Sequence, residues 1–133
     1  MTFELTWDGG PEDVLVTTHG TLDQGQRPSS LAAIVADERF RPDLLVLVDH
    51  RDADLTGFDF ESLAERADGL ANTLGAGSRI AIATVVSRAV DYGLARTYEL
   101  IAGNRTDYPS FITYSIDDAR DWLRVRRAER EHG

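Results

Sequence analysis

Phe3, Leu5 and Trp7 alternate with Glu4 and Thr6, a period of two that predicts an edge strand. Asp8-Gly-Gly-Pro-Glu-Asp13 is a turn, and Val14 to His19 is a second strand ended by Gly20. Pro28 fits a first helical position, and Leu31, Ile34 and Val35 mark a short amphipathic helix. Leu44-Leu-Val-Leu-Val48 is apolar without alternation, the signature of a strand covered on both faces in a parallel sheet. Asp59 is placed to cap a helix whose stripe is Phe60, Leu63, Ala64, Ala67, Ala71 and Leu74, and Gly75 to end it. Arg79 to Val85 is the next strand. Ser87 is then the expected N-cap of a helix burying Val90, Leu94, Tyr98 and Ile101 and stopping at Gly103.

The closing stretch is the best specified. Residues 110–114 form a short strand of β-formers. Ser115 and Asp118 make a capping-box pattern, and Ala119, Trp122 and Leu123 give the following helix, 116–126, one apolar face. The order β-β-α-β-α-β-α-β-α, with short connections, predicts a three-layer α/β sandwich: a mixed, mostly parallel five-stranded sheet with about four helices, strand 1 antiparallel at an edge. A single domain over 1–126 and a frayed tail over 127–133 follow.

Composition narrows the function classes. The 133 residues contain no cysteine, which excludes a disulfide framework, a thiol nucleophile and a cysteine zinc site. All 14 basic residues are arginine, so no lysine serves a Schiff base or phosphate loop. A net charge of −9 weighs against nucleic-acid and anionic-membrane partners. No apolar run is long enough for a membrane span, and the N-terminus lacks a signal-peptide pattern, so the expected compartment is cytoplasmic. The sequon Asn104-Arg-Thr106 has no consequence there. Arg124, Arg126, Arg127 and Arg130 complement the negative end of the last helix.

Open α/β sheets place ligands beyond the carboxyl ends of their strands. That edge would carry His19 after strand 2, Asp49, His50, Arg51 and Asp52 after strand 3, and Thr84, Ser87 and Arg88 after strand 4. A histidine beside a carboxylate there could act as a general base, although loops at strand ends are polar for any function. Other patterns fail. His50-Arg-Asp52 spells a kinase tripeptide, but Gly57 stands where the kinase asparagine belongs. Asp52, Asp54, Thr56 and Gly57 begin an EF-hand pattern that ends on Leu63 instead of glutamate. Gly75-Ala-Gly77 follows a helix, the wrong context for a dinucleotide fingerprint, and no Gly-x-Ser-x-Gly elbow occurs. His19, His50 and His132 lack metal-ligand spacing. Neither a cofactor nor a metal is implied. Tyr92, Tyr98, Tyr108, Phe111 and Trp122 read as core before cavity lining.

The element order, with Leu45-Val-Leu-Val-Asp49, Arg79-Ile-Ala-Ile-Ala-Thr84 and Asp117-Asp-Ala-Arg-Asp-Trp-Leu123, resembles the SpoIIAA-like family. These are bacterial STAS-domain relatives with similarity to the Sec14 fold. The resemblance spans roughly residues 3–125 and implies a STAS-like sandwich, most of whose members have no assigned activity. Anti-sigma-factor antagonists of the STAS group carry a phosphorylatable serine after the third strand. Here that Asp-Ser-Ser-Gly type of motif is missing, Thr56 is the nearest substitute, and phosphorylation of Thr56 or Ser62 is left open. The expectation is a non-catalytic regulatory or binding module docking a protein partner or small ligand. Two alternatives stand beside it: a carrier of a lipid or other apolar small molecule, and a small enzyme using His50 and Asp49. A homodimer through an exposed edge strand is also open.

Overall fold

The computed structural model describes residues 2–21, 30–56, 60–74, 79–103 and 108–132, with backbone alone at Phe60, Ser62, Leu63 and His132. Its elements follow the expected order: β1 (Thr2–Trp7), β2 (Val14–Thr21), α1 (Ser30–Ala36), β3 (Leu45–Asp54), α2 (Phe60–Leu74), β4 (Ala81–Val85), α3 (Ala89–Gly103), β5 (Ser110–Thr113) and α4 (Ile116–His132). The five strands lie in the order 1-2-3-4-5, with β1 antiparallel to β2 and the other pairs parallel. The chain is therefore an α/β sandwich around a mixed, mostly parallel sheet.

Alternation along the strands sorts the core into two layers. Leu45, Leu47, Ala81, Ala83 and Val85 face α4, where Ala119 and Leu123 are fully buried against them. Val14, Val16 and Val46 face the other way and take Ile34 of α1. Ala67 and Leu70 of α2 pack with Ile101 and Ala102 of α3, and Leu31 of α1 joins them. Helices α1, α2 and α3 thus share one face, and α4 alone covers the other. Trp122 stacks on Phe111 with ring centroids 5.7 Å apart, holding α4 to the outer strand. Ser115 caps α4 as expected, its hydroxyl accepting the Asp118 N–H at 3.2 Å.

Five expectations are corrected. Strand 2 runs past Gly20, whose φ of 84° suits glycine, to Thr21, and strand 3 runs past Val48 to Asp54. The two pair along this extension, His19 with Asp52 and Thr21 with Asp54, after a register shift between Thr17 and His19. Asp49 to Asp52 are therefore strand residues, with main-chain pairing that their polarity concealed. Helix α4 continues to His132 where a frayed tail was expected from residue 127. Arg127 explains this: it donates to the Pro11 carbonyl at 2.8 and 3.0 Å and to Asp13 at 2.8 Å. Arg130 reaches the carbonyls of Asp43 and Arg79. Val90, expected in the core, is 50% exposed, and Asp91 occupies the buried position beside it. Finally, Arg88 holds the N-cap position of α3, its carbonyl accepting the Tyr92 N–H, while the Ser87 hydroxyl donates to the Arg51 carbonyl at 3.0 Å. Pro28, Asp59 and Gly75 lie outside the described residues.

The lower end of the sheet is held by ion pairs. Glu12, only 1% exposed, meets Arg120 at 3.2 Å. A Cβ on Gly10 would come within 2.8 Å of the Glu12 carboxylate, so any larger residue there must displace the buried end of Glu12. Asp13 accepts the Leu45 N–H and pairs with Arg127 and Arg41. Burial alone would raise the Asp13 pKa, but these donors outweigh it and hold the carboxyl below its usual range. The arginines of the α4 C-terminus are thus structural ties.

Candidate functional site

The carboxyl ends of the parallel strands carry every candidate residue, yet adjacent strand positions point to opposite faces. The site divides accordingly. On the α4 face, Arg51 binds Asp49 through two guanidinium bonds, at 2.8 and 2.9 Å, and also donates its N–H to it. Burial pushes the Asp49 carboxyl up, but Arg51 outweighs burial and the pKa ends below the ordinary value. Asp49 raises the Arg51 pKa in return.

On the α1–α3 face, His50 Nδ1 lies 2.7 Å from the Thr18 hydroxyl, which also sits 3.1 Å from the Asp49 carbonyl. A hydroxyl has one proton. It satisfies both contacts by donating to the carbonyl and accepting Nδ1–H, which leaves Nε2 as the unprotonated nitrogen. Burial lowers the His50 pKa to about 4; Arg66 acts in the same direction, while Asp49 and Asp91 oppose it. His50 is therefore neutral at pH 7. Thr84 shares this face through its place in β4 beside Val48.

A third group joins the end of β3 to the start of α3. Asp91 is fully buried and accepts the Leu55 N–H at 3.0 Å. It holds Arg88 at 2.7 and 3.0 Å, and Arg88 reaches on to Asp54 at 2.8 Å. Asp54 also accepts the Thr56 hydroxyl at 2.5 Å and the Thr56 N–H at 2.9 Å. The Thr56 hydroxyl, followed by its N–H and Arg88, brings the Asp54 pKa down to about 2. The paired carboxylates of Asp91 and then Asp54 raise that of Arg88. Thr56 is thus an internal donor in this network; the side chain of Ser62 lies outside the described residues.

His19 and Asp52 form the outermost pair, 4.0 Å apart, with Asp52 76% exposed. The structure consequently gathers the predicted residues along one edge but does not converge them on one point. His50 and Asp49, neighbours in sequence, bond on opposite sides of the sheet, one to Thr18 and one to Arg51. Asp91 and Thr18 were missed in the sequence. The signal for Asp91 was its place in a first helical turn, three residues after Arg88, where an acid complements the helix dipole. Nothing local marked Thr18, whose partner is 32 positions away. Among the described residues, no three His, Asp or Glu side chains could jointly hold a metal ion. No helix among them is long and apolar enough to cross a membrane.

Fold and edge together define an α/β protein with a self-paired polar rim at the C-terminal end of a sequentially ordered sheet. Comparison of the chain with protein-family models, curated proteins and solved structures finds no match. The SpoIIAA-like resemblance accordingly rests on the pattern of elements and residues alone.

Proposed function

We propose that the chain is a non-catalytic, STAS-like binding module that docks a protein partner or small ligand along the C-terminal edge of its sheet. One observation carries this reading: the edge carboxylates are occupied by structural donors. Asp49 gives both oxygens to Arg51, and Asp91 gives both to Arg88 and one to Leu55. A general base must reach the proton it removes, and its carboxylate partner must orient it. His50 and Asp49 project from opposite faces, which disfavours the enzyme reading. What the edge does present is the exposed pair His19 and Asp52 on the ends of β2 and β3, with Arg51 and Ser87 braced beside them.

The test is native mass spectrometry of the protein purified from its source. A stoichiometric protein partner or polar ligand, lost in an Asp52→Ala/Arg51→Ala variant that still folds, supports the reading. A retained apolar molecule would replace it with the carrier, and turnover that depends on His50 would replace it with the enzyme.

A further inference from the structure

The outer edge of β5 differs from the other exposed edge of the sheet. Strand β1 carries Glu4 on its exposed positions, a charge that discourages strand addition. From Tyr108 to Ile116, spanning β5, there is no charged side chain. The main-chain direction of β5 follows from its bonds to β4: the carbonyls of Pro109 and Thr113 accept N–H groups of Ile82 and Val86 at 3.0 Å each. Residues 109, 111 and 113 therefore bond inward. By alternation, the N–H and C=O of Ser110 and Ile112 point outward, with no strand beyond them among the described residues.

Aromatic pairs border this edge on both faces. Phe111 stacks on Trp122 on the α4 side, and Tyr92 stacks on Tyr114 on the α3 side with centroids 5.1 Å apart. Tyr114 and Val125 are 53% and 50% exposed. Immediately after the strand, Asp117 and Asp118 are exposed on α4; farther along it Asp121 pairs with Arg124, and Arg126 lies over the Trp122 ring. A second copy of the chain would bring the same carboxylates and the same net charge of −9, so charge works against self-pairing and for a basic occupant.

We propose that β5 is a docking strand for an extended, arginine- or lysine-flanked segment of another protein. The segment adds a sixth strand through Ser110 and Ile112, packs alternate apolar side chains between the two aromatic pairs, and places its basic end near Asp117 and Asp118. The proposal depends on the binding-module reading only in requiring a protein partner, and it moves the contact to a different edge.

The test is an amide-resolved NMR titration of the whole chain with two synthetic peptides. Both have an alternating Val-Thr core; one is flanked by arginines and the other by glutamates. The arginine peptide is expected to shift the amides of Ser110 and Ile112 most. It should bind about fivefold or more tighter than the glutamate peptide, the scale of one or two rim charge pairs. Asp117→Asn/Asp118→Asn should remove most of that preference. Ile112→Pro should abolish binding while the chain stays folded by circular dichroism, because proline is tolerated where a strand N–H points outward. Equal binding of both peptides, shifts confined to another surface, or no shift at about 1 mM peptide would overturn the proposal. A wild-type dimer that dissociates in Ile112→Pro would overturn it in favour of self-pairing. A native partner still captured by folded Ile112→Pro would overturn this surface and leave the module reading intact.

Discussion

The neutral state of the half-buried His50 makes stability depend on pH in a window centred above that of the lowered carboxylates Asp13 and Asp49. The unfolded chain titrates this imidazole near 6.5, and the native chain near 4. Between those values the unfolded state binds a proton that the native state refuses, so acid favours unfolding. The contribution is fully present above pH 6.5, declines as the pH falls, and is lost near pH 4. The two values are about 2.5 pH units apart, and at about 1.4 kcal/mol per unit the loss is at most about 3.5 kcal/mol. The carboxylates of Asp13 and Asp49, held below 3.8, lose their contributions only at lower pH. Urea unfolding should therefore be measured from pH 7.5 to 4.5 in wild type and His50→Gln, and the two curves subtracted. The difference should slope with pH in this window. Imidazole NMR should report the Nδ1–H tautomer and a native pKa below 5. A difference curve flat with pH, or a native His50 titrating near 6.5, would refute the burial argument.

Three further outcomes follow from the packing. Arg88→Gln leaves the buried Asp91 carboxylate without its guanidinium, so it should destabilise more than the Arg88→Gln/Asp91→Asn double variant in chemical denaturation. Arg127→Ala removes the ties to Pro11 and Asp13. It should cost about 1–2 kcal/mol and speed amide hydrogen exchange in the last two turns of α4 while leaving its first turns protected. Leu123→Ala opens a cavity at a fully buried position between α4 and the sheet; the expected loss is about 2–5 kcal/mol by thermal or urea unfolding, and a loss under about 1 kcal/mol would mean α4 is not docked there.

Periodicity made the elements readable because each one has to bury a face. Ala119 and Leu123 show this well: spacing predicted their burial, and both are fully buried. Pattern reading failed where main-chain pairing or a long-range polar contact took the place of an apolar side chain. Asp49-His-Arg-Asp52 looks like a loop because its side chains are polar, whereas its strand is fixed by pairing of Asp49 with Thr17 and of Asp52 with His19. Val90 looks like core because apolar spacing cannot tell which residue of a helix start turns inward. Asp91 does, since only a carboxylate can accept the Leu55 N–H and hold Arg88. The candidate residues were legible as a set along one edge, but the sets that bond together were not, because those contacts depend on sheet faces.

The order of the strands explains why this edge is a rim and not a crevice. A ligand crevice in an open α/β sheet forms where strand order reverses and neighbouring connections leave toward opposite faces. Here the order 1-2-3-4-5 never reverses. The crossover helices α1, α2 and α3 therefore share one face, and the connections after β2, β3 and β4 all leave toward it. Among the described residues, only the adjacent strands β4 and β5 send their connections to opposite faces, and there Tyr92 stacks on Tyr114. The polar residues instead sit on the extended end of β3, across its register shift, where Asp49 bonds to Arg51 and His50 turns to Thr18. Side chains divided in this way can brace the edge and present it to a partner, but they cannot converge on one reacting atom. Recognition by such a fold is thus directed to its margins: the rim beyond β3 and the unpaired strand β5.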